Sequence, residues 1–268
     1  MTTDDIRVKN DTQTGGGVKE GKYIYCIIAA GKPDAFGPIG IGGRGDEVRS
    51  FGVNDVAAVV SNSPVKEYRV SRENTIAHEK AIEEVMKHHT VLPVRFGTIA
   101  ESEDKMRKIL EKEHDRFAQI LRQMDGKKEL GLKAVFKEEF IYPSILEKYE
   151  HIRRKKEKIA NLPADKTHYQ RMEIGRMVEE ALGKEREEYR EKMLEFLAPV
   201  ALDTKINATY GERMVMNAAF LVEERREEEF DRAVEGLVEK YGETIKFKYV
   251  GTLPPFNFVN LVIETESY

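Results

Sequence analysis

The residues of this 268-residue chain with the types for chemistry are six histidines, one cysteine and a glycine-rich stretch. His78, His88 and His89 stand in a segment of helical pattern. His78 and His89 share a helical face, but eleven residues at a rise of ~1.5 Å separate them by roughly 16 Å. One metal ion, bonded to nitrogen at ~2 Å, cannot hold both. His88 points elsewhere, and Cys26 lies inside an apolar run. The histidines therefore read as packed or boundary residues. Gly37-Pro38-Ile39-Gly40-Ile41-Gly42-Gly43-Arg44-Gly45 has the glycines of a phosphate loop. Such a loop must open a helix whose amides face the anion. Here a strand pattern follows, without Gly-Lys-Ser/Thr, so the stretch reads as a connecting loop. No Gly-x-Ser-x-Gly, Cys–His pair or paired-carboxylate motif is present. No catalytic residue, metal or cofactor is expected.

Two cationic features remain. Arg95 falls opposite Leu92, Val94 and Phe96 in the strand-like segment Val91–Thr98, and a sheet arginine needs a carboxylate or carbonyl partner. A structural ion pair with Glu79 or Glu83 is the favoured reading; an anion or partner contact is the other. Arg153-Arg154-Lys155-Lys156 lacks interleaved aromatics for base stacking and is surrounded by Glu147, Glu150 and Glu157. It reads as a solvated helix face. Lys+Arg 44 against Asp+Glu 48 leaves a net charge of −4, so no basic field draws nucleic acid or an anionic membrane. No run of ~20 apolar residues is present. A lone cysteine rules out an intrachain disulfide, which fits a reducing cytoplasm.

The elements that must position these residues follow from periodicity. Residues 1–20 are polar, end near Gly15-Gly16-Gly17, and read as a flexible tail. Residues 21–138 read as an α+β domain. It comprises a buried strand Lys22–Ala30, a hairpin about Gly52–Asp55, a helix capped by Ser71 and the strand Val91–Thr98. A helix over 103–124 and a closing strand Leu130–Lys137 complete it. The expectation is a mixed sheet with helices on one face. Pro93 places its strand at an edge or bulge. Residues 139–198 form a charged helical extension broken at Pro163. Residues 199–268 read as a ferredoxin-like domain: strands 200–208 and 213–222, an amphipathic helix Glu227–Tyr241, and strands 245–250 and 256–263. Met214–Val222 is apolar on both faces and so central.

Several segments, in order, resemble the gas vesicle protein F/L family (GvpL/GvpF). They are Tyr23-Ile24-Tyr25-Cys26-Ile27, Val56–Ser61, His78-Glu79, and Val91-Leu92-Pro93-Val94-Arg95-Phe96-Gly97-Thr98. Glu129–Lys133, Asn217–Val222 and Gly251-Thr252-Leu253-Pro254-Pro255-Phe256-Asn257-Phe258-Val259 complete the set. The resemblance spans residues 22–263. It implies a non-enzymatic accessory or minor structural protein of gas vesicles, located at the vesicle and in the cytoplasm. Its implied partners are the hydrophobic shell protein and other gas vesicle accessory proteins, with no nucleic acid or membrane. Sheet edges and apolar corners shield or template such a client. The expected contacts are therefore Arg95 and Phe96 on one strand, and the Pro254, Pro255 and Phe256 corner. The alternative is a ferredoxin-like small-molecule-binding protein or enzyme with a pocket near Arg95 and His78.

Overall fold

The computed structural model describes residues 19–265; residues 1–18 of the expected tail lie outside them. Strand β1 (Glu20–Ala29) carries the stretch Tyr23–Ile28, all of it buried. The short β2 (Ala35–Gly37) leads to the hairpin of β3 (Val48–Val53) and β4 (Val56–Pro64). Asn54, at φ 55°, supplies the left-handed residue of its turn. Helix α1 (Arg72–Met86) begins at Ser71, whose side chain accepts from the Asn74 N–H (3.2 Å), as the sequence predicts. Strands β5 (Leu92–Pro93) and β6 (Ile99–Ala100) follow. The expected single helix over 103–124 is two, α2 (Glu103–Lys112) and α3 (His114–Met124), joined at Glu113.

The first sheet has the order β2-β3-β4-β1-β5, with β6 also on β1, and every ladder is antiparallel. The expectations of a mixed sheet and of helices on one face both need correction. Helix α1 packs Ala81, Ile82 and Val85 against Tyr23, Tyr25, Ile28 and Val59. Helices α2 and α3 pack Met106, Ile109, Phe117 and Leu121 against Ile24, Ile27, Ala58 and Val60. The physical reason is in β1 and β4, which are apolar on both faces and need cover on both. A bulge at Tyr25, between the pairs Ile24–Val60 and Cys26–Val59, puts Cys26 on the α1 side with Tyr25, which shares that face with Tyr23 by ordinary alternation.

Strand β7 (Lys127–Phe136) does not close the first sheet. After it come α4 (Glu138–Lys148), α5 (Glu150–Ile159) and α6 (His168–Leu197). Then follow β8 (Asp203–Ile206), β9 (Met214–Glu223), α7 (Glu227–Tyr241) and β10 (Ile245–Leu253). The second sheet has the order β10-β7-β9-β8, again antiparallel, with β7 and β9 central. β7 alternates: Leu130, Leu132, Ala134 and Phe136 join one core with Val215, Phe220, Phe230, Leu237 and Ile245. That one-sided pattern suits a sheet with helices on one face.

Residues 256–263, expected as a final strand, form no ladder. Pro254 and Pro255 bring no N–H, and the chain turns there, with Val259 N–H donating to the Pro255 carbonyl (2.8 Å). It then runs back to the first sheet. Its contact there is a single parallel bridge, Val94–Leu261, beside an Arg95 N–H to Leu261 carbonyl bond (3.4 Å). Val259, Leu261 and Ile263 are buried in the core under α2 and α3. Each such side chain stabilises by ~1.5–3 kcal/mol at most. The C-terminal segment is therefore anchored by side chains rather than by a ladder. Buried Glu129 of β7 holds its start, accepting from the Asn257 N–H (2.9 Å) and from Asn257 Nδ2.

Candidate functional site

The segment 91–100 is pinned to β1 at both ends, through Leu92 and Pro93 and then through Ile99 and Ala100. Between them Gly97, at φ 83°, makes a turn that Thr98 closes by bonding the Arg95 carbonyl through its N–H (3.3 Å) and Oγ1 (2.7 Å). The turn throws the Arg95 side chain outward and leaves Phe96 half-buried. Helix α1 and the returning C-terminal segment flank it. Together they enclose a cleft of about 500 Å³ lined by Val70, Thr75, His78, Glu79, Pro93–Phe96, Phe256 and Val259–Leu261. That volume is within the ~300–1,000 Å³ of ordinary binding clefts. A broader groove of about 800 Å³ continues past Arg95 and Phe96 between residues 65–70 and 262–265.

Of the residues singled out from sequence, His78, Arg95, Phe96 and Phe256 meet in this cleft. Pro254 and Pro255 do not. Both are buried, and Pro255 lines a separate cleft of about 340 Å³ beside His88 and His89. The prolines act as the bend that delivers Phe256. Arg95 forms no ion pair with Glu79 or Glu83, nor with any other described residue; its guanidinium is unpaired and exposed. The structural reading favoured from sequence is thereby replaced. The basic run on α5, by contrast, is neutralised locally: Arg154 pairs with Glu150 (2.8 Å) and Lys155 with Glu173 of α6.

His78 is the polar group of the cleft floor, 2% exposed. Tyr23 Oη accepts from the Gly97 N–H (2.9 Å) and is hydrogen-bonded to His78 Nδ1 (3.1 Å). His78 Nε2 sits beside the Val94 carbonyl without a hydrogen bond of adequate geometry. A buried polar atom without a partner costs about 1–3 kcal/mol. Burial pulls the His78 pKa down to about 4, with the Val94 carbonyl opposing. The ring is caged by Tyr25 (5.8 Å, stacked), Phe96 (5.6 Å, edge-on) and Phe256 (6.5 Å). Burial also raises the Tyr23 and Cys26 pKa values, so both stay protonated. No group of three or more His, Cys, Asp or Glu among the described residues converges as a metal site.

Sequence reasoning missed three contributors. Val70, 84% exposed, and Val262, 40% exposed, add to Phe256, 43% exposed, as apolar side chains on the rim. Val70 had a legible signal: it precedes the N-cap Ser71, but Thr75 at the position that would staple to it is not apolar. Tyr23, the bond partner of His78, had none, because which strand residue meets His78 of α1 is decided by tertiary packing.

A two-sided antiparallel sheet joined to a one-sided one, with a C-terminal segment returning between them, defines the class. Residues 21–260 match the family described as gas vesicle synthesis protein GvpL/GvpF, and the chain belongs to that family. It is 25% identical to gas vesicle protein F of Dolichospermum flosaquae over 89% of this chain and 97% of that one. It is 29% identical to gas vesicle protein F of Streptomyces sp. (strain CB03234) over 88% and 98%. The crystal structure of GvpF from Anabaena sp. PCC7120 shares the fold at TM-score 0.76, with 22% identity over 90% of this chain and 99% of that one. GvpF from Microcystis aeruginosa does so at 0.71, with the same identity and coverage. The chain thus has a gas-vesicle-related role. No helix among the described residues is long and apolar enough to cross a membrane.

Proposed function

We propose that this protein is a non-enzymatic assembly or minor structural protein of gas vesicles. It binds the hydrophobic shell protein, assists nucleation or formation of the vesicle, and works at the vesicle and in the cytoplasm alongside other accessory proteins. The observation that carries this reading is the cleft rim, where Val70, Phe256 and Val262 expose apolar surface around an unpaired Arg95. Exposed apolar patches on a soluble chain mark interaction sites, and a hydrophobic shell subunit needs such a surface until it is stacked. Two domains are part of the same reading, the second a ferredoxin-like unit with a helical extension. Its support is the strand-helix-strand-strand-helix-strand succession from β7 to β10.

Co-expression with the shell protein, followed by co-purification from a detergent-free lysate, tests the reading. The parent is expected to carry shell protein, and the Val70→Ser, Phe256→Ala double variant to lose most of it while melting normally. A parent that fails to associate under conditions where vesicles form would sink the reading. The competing small-molecule reading draws support from the cleft's size and its His78 floor. It predicts that a low-molecular-weight ligand, rather than shell protein, raises the melting temperature.

A further inference from the structure

We infer that the cleft recognises an apolar segment of its protein partner that carries one acidic side chain, with Arg95 receiving the carboxylate. The inference rests on the shell-binding reading above and deepens it by naming what the bound segment must present.

Two independent observations converge. Arg95 stands on the ridge shared by the cleft and the groove, exposed and without an ion-pair partner among the described residues. A guanidinium with five donors in a rigid fork matches a carboxylate in shape as well as charge. Around it, Phe256 and Val70 provide apolar contact of the kind that anchors an interface.

The acidic groups nearby narrow the feature further. Glu79 lines the cleft from α1, and Glu67 and Glu264 line the far groove beside Lys66. A run of carboxylates along the bound segment would meet Glu79, Glu67 and Glu264 with only Lys66 to offset them, which costs affinity. The arrangement therefore selects a single acid facing Arg95, in apolar surroundings, and repels an acidic tract.

The experiment is a charge swap in the co-purification with shell protein, using full-length chains. Arg95→Glu is expected to retain about tenfold less shell protein than the parent. Because Arg95 is exposed, this variant should melt as the parent does. One shell variant with a single Asp or Glu replaced by Lys is expected to restore capture by Arg95→Glu and to lose capture by the parent. Equal capture by parent and Arg95→Glu, or no shell variant that rescues, overturns the inference and leaves the shell-binding reading standing. A parent that captures no shell protein ends both.

Discussion

In the first sheet, β1 and β4 are apolar on both faces, carry helices on both, and bury a polar network of Tyr23, His78, Tyr25 and Ser61. In the second, β7 and β10 alternate, helices α4, α6 and α7 cover one face, and polar bonds lie mostly at the margins. Tyr249 Oη, for example, donates to Asp231 at a part-buried site (2.6 Å). Even buried Glu185 of α6 is satisfied, taking bonds from Tyr149 Oη and Lys148 Nζ (2.8 Å each). The contrast teaches where a binding feature can arise. A one-sided sheet over a charged helical layer leaves no buried side-chain polar atom without a hydrogen bond among the described residues. A two-sided sheet has to fit α1, the 91–100 turn and the returning C-terminal segment around one edge, and there buried His78 Nε2 is left without one, beneath an Arg95 that has no ion pair among the described residues.

The sharpest way to break this comparison is through pH. His78 has its folded pKa pulled down to about 4 from 6.5. A depressed pKa contributes stability that is present above pH 6.5 and is lost as pH falls toward 4, roughly 3 kcal/mol over that window. Chemical denaturation at a series of pH values should show this loss in the parent and its absence in His78→Phe. An unchanged slope in the variant would mean that His78 is not buried in its neutral form.

Next in size is a paired hydroxyl deletion. Tyr23→Phe leaves both the Gly97 N–H and His78 Nδ1 without their buried partner, and should cost about 1–3 kcal/mol. Tyr249→Phe in the second sheet removes a part-buried bond and should cost less than about 1 kcal/mol. Equal costs in urea titrations would erase the distinction between the sheets.

A third test concerns the junction. Asn257→Ala removes the Nδ2 donor from buried Glu129, leaving the backbone N–H bond in place, and should destabilise by about 1–3 kcal/mol. It should also raise hydrogen exchange in residues 256–263 ahead of the strands. Burial holds the Glu129 pKa above the usual carboxylate value, with Asn257 opposing. The sign follows: a raised pKa gives stability that is complete below about 4.5 and is lost as pH rises through the folded value. Glu129→Gln should flatten that trend. The smallest effect is expected on the charged helices. Arg153→Gln and Arg154→Gln should each change stability by less than about 0.5 kcal/mol, because exposed pairs on one helix contribute little.

Much of the first sheet's edge was legible in sequence: Ser71 as a cap, Pro93 as an edge marker, Asn54-Asp55 as a hairpin turn. Arg95 was legible from its strand as either an ion pair or a partner contact; Phe96, Pro254, Pro255 and Phe256 were named as contacts alongside the resemblance, and of these Pro254 and Pro255 form a buried bend. Local pattern states what a residue needs, such as a partner for Arg95, but not whether the fold supplies it.

The sequence by itself determined most of the helices and strands, since period, caps and breakers act within a few residues, but not the break between α2 and α3 or the absence of a strand over 256–263. It also determined, through ordered motifs, the gas vesicle F/L family. Only the tertiary structure decided which sheet Lys127–Phe136 joins, because a strand's partner depends on which other chain segment matches its buried face. It also decided that residues 256–263 return to the first core, since alternating Val259, Leu261 and Ile263 suit a strand or a buried ribbon equally. That return is what sets His78 beneath Phe256 and leaves Arg95 without a partner.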